Sequence, residues 1–230
     1  KNAIYQSNLG ELYRRQGMLD HSIRINKNAV KLKPDMVNAN YNLAIAYYDN
    51  GDYNRAIKFY KKTVQLNPEH GMAWNNMGTC YEKKLDFDEA HLMYERAVKI
   101  NSGHLEALNN LATTHNHKGD TDEAIKIFNQ AIDLKPDFFE ALNNIGSCLS
   151  FLGRIDEAIK SYEKALTINP EYSVTVGELS QHIIDFKKSR MSLITGRVGI
   201  GFLRALYSTY ISYLPAEEFK YSLTPHEDKR

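Results

Sequence analysis

The chain has 230 residues, of which 43% are hydrophobic and 25% charged, the proportions of an ordinary globular protein. Its 29 Lys and Arg against 28 Asp and Glu leave a formal charge of +1. That balance argues against a nucleic-acid partner, since such a protein must neutralise several phosphates at once.

Taken in chain order, the sequence falls into units of one length. Pro34, Pro68, Pro136 and Pro170, with Ser102 filling the one gap, mark five units: 3–36, 37–70, 71–104, 105–138 and 139–172. A fixed period of this size signals stacked supersecondary units rather than one globular core. Within each unit an amphipathic stretch, such as 37–48, leads through a short turn to a second, such as 53–66. Both carry apolar residues at helical spacing, so each unit is predicted to be a helical hairpin. Gly17, Gly51, Gly119 and Gly153 mark the turn, where glycine takes the left-handed conformation that ends a helix at little steric cost. Asp52, Asp86 and Asp120 follow and are predicted to cap the second helix, while each proline opens a unit where a missing N–H does least harm.

Trp74, Gly78, Tyr81, Ala90, Tyr94 and Ala97 in the third unit resemble the tetratricopeptide (TPR) signature of alternating large and small residues. The fifth unit resembles it through Leu142, Ile145, Gly146, Gly153, Ala158, Tyr162, Ala165 and Pro170, and the resemblance covers about three quarters of the chain. It implies an all-α fold: a right-handed α-solenoid of five TPR hairpins plus C-terminal capping helices. Small residues at Gly10, Ala44, Gly78, Ala112 and Gly146 are expected to face Ser22, Ala56, Ala90, Ala124 and Ala158, because paired helices must approach closely. Ser22 and Asn26, Thr63, Leu85, Ser102 and His115 depart from the pattern and weaken single positions.

One polar residue keeps the same period. Asn8, Asn42, Asn76, Asn110 and Asn144 each stand beside an apolar residue in a first helix. In a solenoid of helical hairpins the first helices line the concave side, so these residues form a row along a groove. A carboxamide offers the same acceptor and donors as a peptide group, and can pair with a backbone amide whatever side chain it carries. A unit advance of roughly 10 Å matches about three residues of extended chain. The row resembles the asparagine ladder in the TPR superhelix of O-linked N-acetylglucosamine transferases, which holds extended polypeptides through their main chain. That resemblance implies peptide binding by the five asparagines, with Asn75, Asn109 and Asn143 widening the row. The alternative is structural, with each asparagine bonding to the neighbouring unit's backbone and setting the pitch. A second TPR mode, the carboxylate clamp, needs lysine and arginine around an asparagine. The frame here offers Ser7, Glu11, Asn42, Met72 and Asn76, so chaperone-tail binding is disfavoured.

Other chemistry finds no residues. His115 and His117 are spaced i,i+2 and point to different sides of a helix, and no His/Cys/Asp/Glu set has zinc spacing, so no metal is expected. Gly196 to Gly201 lacks the preceding strand and the glycine order of a phosphate loop. No nucleophile, base and oxyanion set is apparent, so neither catalysis nor a cofactor is expected. Cys80 and Cys148 lie two periods apart, far beyond disulfide reach, and are expected as free thiols. With no apolar signal segment at the start, the cytoplasm is the expected location.

Residues 173–190 continue the pattern as a capping helix. Residues 191–214 form an additional amphipathic segment through Leu203, Leu206, Tyr207, Tyr210 and Leu214, and 215–230 a tail. Arg197 and Arg204 oppose a membrane span. The segment is read as a helix packed on the last repeat, with docking to a partner or second copy and interfacial membrane binding as alternatives. The functional expectation is a protein–protein interaction module that binds extended polypeptide in its groove. The alternatives are the non-catalytic TPR part of a larger O-linked N-acetylglucosamine transferase-like enzyme and a scaffold that self-associates through its end repeats or 202–214.

Overall fold

Ten α-helices follow one another in a computed structural model, which describes residues 2–171 and Gly177. They are α1 (Ala3–Arg15), α2 (Leu19–Leu32), α3 (Val37–Asp49), α4 (Tyr53–Leu66), α5 (Gly71–Lys83), α6 (Phe87–Ile100), α7 (Leu105–His117), α8 (Thr121–Leu134), α9 (Phe139–Phe151) and α10 (Ile155–Ile168). Odd-numbered helices have 13 residues and even-numbered ones 14, so the period seen in the sequence is a period of elements. Among the described residues there is no strand. The expected capping helix over 173–190 (apart from Gly177), the segment 191–214 and the tail 215–230 lie outside the described residues.

The chain forms two compact units, Lys1–Asn144 and Ile145–Arg230, with the boundary inside α9. In the first, α1 packs on α2, α3 on α4, α5 on α6 and α7 on α8, and α2, α4 and α6 each pack on the first helix of the next hairpin. The close approach within a hairpin depends on a small residue facing a large one. A Cβ built on Gly78 would stand 2.6 Å from Cε1 of Tyr94, which is fully buried. Ala44 and Ala112 are also fully buried in the equivalent places. In the first hairpin the same place is taken by Gly10 against Asn26, whose buried Oδ1 has no hydrogen-bond partner. The second unit repeats the arrangement, with Gly146 opposite Tyr162.

The turns behave as the sequence predicts at four positions: Gly17, Gly51, Gly119 and Gly153 have φ between 74° and 88°. The fifth is Leu85, which adopts the same left-handed backbone at φ 62° while the residue is 76% exposed. A Cβ in this region collides with the backbone, so Leu85 holds its turn under strain.

Capping is only partly what was expected. Asp52 and Asp86 accept from the backbone N–H of Arg55 and Glu89 at 2.9 and 3.4 Å. Asp120 makes no such bond, and its carboxylate lies 3.7 Å from His115 Nδ1 instead. Two first helices are capped by imidazoles, with His70 Nδ1 and His104 Nδ1 accepting from Ala73 and Ala107 N–H at 3.2 and 3.1 Å.

Candidate functional site

The asparagine row lies on the first helices, and four of its members are tied to the preceding hairpin. Asn42 Nδ2 donates to Ser7 Oγ at 3.0 Å, and Asn76 Nδ2 to Tyr41 Oη at 3.1 Å. Asn110 Nδ2 donates to Asn75 Oδ1 at 3.2 Å, and Asn144 Nδ2 to Asn109 Oδ1 at 2.9 Å. Every bond spans 35 residues, so each rung reaches the residue just before the previous rung. The partner is a side chain at each junction, and only Asn42 also approaches a backbone oxygen, that of Ser7 at 3.5 Å. Asn8 is exposed and carries no such bond among the described residues.

These bonds use one N–H of each carboxamide. Asn76 Oδ1 accepts from Asn75 Nδ2 at 3.4 Å, but among the described residues nothing donates to Oδ1 of Asn42, Asn110 or Asn144. All four are half-buried. An amide held by its N–H end, with its oxygen unspent, is a fixed acceptor whose ordering is already complete.

The flanking asparagines divide into two kinds. Asn75 and Asn143 are buried, at 5% and 3% exposure, so their side chains face the protein rather than a groove. Asn109 is half-buried. Asn75 and Asn109 act as acceptors for the following rung, whereas Asn143 Oδ1 is buried without a partner. The Tyr41 phenol, which receives the Asn76 rung, is pushed above its ordinary pKa by burial. It therefore stays protonated and keeps its own O–H to give.

At the first two hairpins the face carries a charge cluster. Arg14 clasps Glu11 at 2.7 Å and Asp49 at 2.8 Å, and Arg15 reaches Glu11 at 2.8 Å. The Arg14 guanidinium holds the Glu11 carboxyl below its usual range. The Arg14–Asp49 pair again spans 35 residues and adds a second fastening between these hairpins. The structural alternative anticipated asparagine bonds to the neighbouring hairpin but placed them on its backbone, whereas the partners are side chains, and the Arg14–Asp49 pair was not anticipated. The signal for the side-chain rungs was a hydrogen-bonding residue one place before each asparagine, Ser7, Tyr41, Asn75 and Asn109, visible only when paired across units.

Reactive groups on the described residues are quiet. Cys80 and Cys148 are free and buried, and burial pushes their thiols up to about 12 and about 11, which suppresses the thiolate. His91 is buried against His115, ring centroids 4.7 Å apart and edge to face, with His91 Nδ1 2.9 Å from Thr114 Oγ1. Among the described residues no group of three or more His, Cys, Asp or Glu side chains could hold a metal ion. Nor is any helix among them long and apolar enough to cross a membrane.

Profiles of the tetratricopeptide repeat match residues 35–103, 83–145 and 139–172, together more than half of the chain. The chain belongs to the tetratricopeptide-repeat family. Solved TPR-like structures agree with the helical hairpins. The crystal structure of MamA is 29% identical and superposes with a TM-score of 0.65 over 71% of this chain and 96% of that one. YrrB, described as a TPR protein with an unusual peptide-binding site, is 22% identical with a TM-score of 0.64, covering 76% of this chain and 91% of that one. One curated relative, the UDP-2-acetamido-2,6-beta-L-arabino-hexul-4-ose reductase of Pseudomonas aeruginosa (strain PA103), is 51% identical over 59 residues. That match takes in 26% of this chain and spans 16% of the reductase.

Proposed function

We propose that this TPR protein is a non-catalytic module that binds extended polypeptide along its first helices, with Asn42, Asn76, Asn110 and Asn144 pairing to the ligand backbone. Asn8 extends the row at the first hairpin, Asn109 flanks it from a half-buried position, Asn75 braces it from beneath, and Asn143 lies buried beside it. The observation that carries the reading is the unspent Oδ1 of Asn42, Asn110 and Asn144 on amides already oriented by the inter-hairpin bonds. An acceptor fixed before binding loses little entropy when a peptide N–H reaches it. A rung spacing of roughly 10 Å would meet every third residue of an extended chain. YrrB, a protein of the same fold, is described as having a peptide-binding site, which supports the class of ligand. Each exposed hydrogen bond is worth about 1 kcal/mol net, so several rungs together give modest, sequence-tolerant affinity.

The test is a screen of extended peptides against the wild type and a triple variant, Asn42→Ala, Asn110→Ala and Asn144→Ala, with helicity followed by circular dichroism. The expected result is weaker binding of every peptide captured by the wild type, in a variant that remains helical. A helical variant that binds the same peptides with unchanged Kd would show that the row serves only the stack.

A further inference from the structure

The near-neutral net charge conceals an uneven distribution on the second helices. α2 and α4 together carry seven Lys and Arg and one carboxylate, Asp20. α6 and α8 carry three Lys and Arg against six carboxylates. Among the described second helices, the excess of positive charge is therefore confined to the first two hairpins.

Arg24, Lys27, Lys31, Lys58, Lys61 and Lys62 are all exposed, and none forms an ion pair among the described residues. The seventh cation, Arg55, is held by Asp52. Both helices pack on α3, and they meet at one of its side chains. Lys27 Nζ lies 5.7 Å and Arg55 Cζ 4.5 Å from the centroid of the Tyr47 ring. The cations of α2 and α4 therefore form one continuous field. Arg24 and Lys58, and Lys27 and Lys61, hold equivalent positions 34 residues apart on the two helices, so the charges are spread over two helices rather than along a line. Lys61 lies over Tyr81, at 5.8 Å, and Glu89 is the carboxylate whose field it feels.

We propose that this face docks on an anionic lipid surface. A two-dimensional array of cations matches a plane of headgroups better than a single acidic strand, which could meet only one row at a time. Lysines near an anionic bilayer each contribute about 1 kcal/mol, enough in sum for reversible attachment without insertion. The stated partner is a membrane of negatively charged phospholipids met from outside, and the asparagine row takes no part in the contact.

Co-sedimentation of the full chain with vesicles tests this. Vesicles containing about 40% phosphatidylserine in phosphatidylcholine should carry the protein down at about 0.1 M salt and release it near 0.5 M, because screening shortens the field. Pure phosphatidylcholine should not. Lys27→Glu, Lys58→Glu and Lys62→Glu together should lower partitioning at least tenfold, and the corresponding glutamine variant should fall between, which keeps the test intact if charge reversal perturbs folding. Asn110→Ala should leave partitioning unchanged. Failure to sediment with anionic vesicles overturns the proposal, as does equal sedimentation of the wild type and the charge-reversed protein. Charge-dependent binding of polyglutamate or duplex DNA without vesicle binding also overturns it and reassigns the face to a polyanion of that class.

Discussion

Asn110 Nδ2 donates to Asn75 Oδ1 across 3.2 Å, joining two hairpins through residues 35 apart, and the acceptor is only 5% exposed. Removing the donor alone leaves a buried carbonyl oxygen without a partner. Asn110→Ala is expected to cost about 1–3 kcal/mol in urea unfolding, more than the net value of an average hydrogen bond. Adding Asn75→Leu should recover part of that loss, so a double-mutant cycle should give a coupling of about 1 kcal/mol. Strictly additive effects would show that the rung carries no energy.

Leu85 stands where the other four turns have glycine, with φ at 62°. Leu85→Gly should stabilise the protein by about 1 kcal/mol, since a left-handed non-glycine residue is strained by about that amount. Relief of strain outweighs the greater freedom glycine gives the unfolded chain. The reverse change at an equivalent turn, Gly51→Ala, should destabilise by a similar amount, although its Cβ would meet nothing within 4 Å. Thermal melting of both variants separates backbone strain from crowding.

Gly78→Ala is a different glycine substitution, because its Cβ would lie 2.6 Å from the Tyr94 ring. Tyr94 is fully buried and donates to Glu82 Oε2 at 2.7 Å, so it cannot swing away without losing that bond. A loss of about 1–3 kcal/mol is expected from overpacking. Denaturant unfolding checks it, with the double variant Gly78→Ala, Tyr94→Leu expected to lose less than the sum of its parts.

His91 gives the fold a pH dependence. Thr114 Oγ1 donates to Leu111 O at 2.8 Å, so its hydroxyl proton is committed and His91 must donate from Nδ1 to Thr114. Burial, reinforced by Lys118, lowers the His91 pKa below its ordinary value, although Glu95 opposes this from 3.5 Å. The unfolded chain therefore takes up a proton at a pH where the folded one does not. Stability is full above the unfolded value, near 6.5, and falls as pH drops below it towards the lowered folded value. The melting temperature of the wild type should decline between pH 7.5 and about 5 more steeply than that of His91→Gln, which can donate to Thr114 without titrating.

Much of this was legible in the sequence, and the exceptions have physical reasons. Helix bounds, turn glycines and the Asp52 and Asp86 caps depend on residues close in the chain, and local rules reach them. Asp120 has the composition of a cap but turns towards His115, and His70 and His104 cap helices although imidazole is not a favoured capping group. The rungs were harder, because a hydrogen bond between Asn144 and Asn109 depends on how one first helix is set against the next. Local pattern placed Asn75 and Asn143 beside the row, and burial then turned their side chains into the protein. The charge field on α2 and α4 is invisible in a net charge of +1, because acidic α6 and α8 offset half of it and carboxylates elsewhere in the chain offset most of the rest.

The rungs all run one way. From Asn42 to Asn144, each amide nitrogen points to the hairpin before it, and none points to the hairpin after. The row consequently has a sense, like an arrow repeated along the stack, and its two directions of travel are chemically distinct. An extended chain, whose own N–H and C=O groups also distinguish its ends, meets a different pattern when laid along the row forwards or backwards.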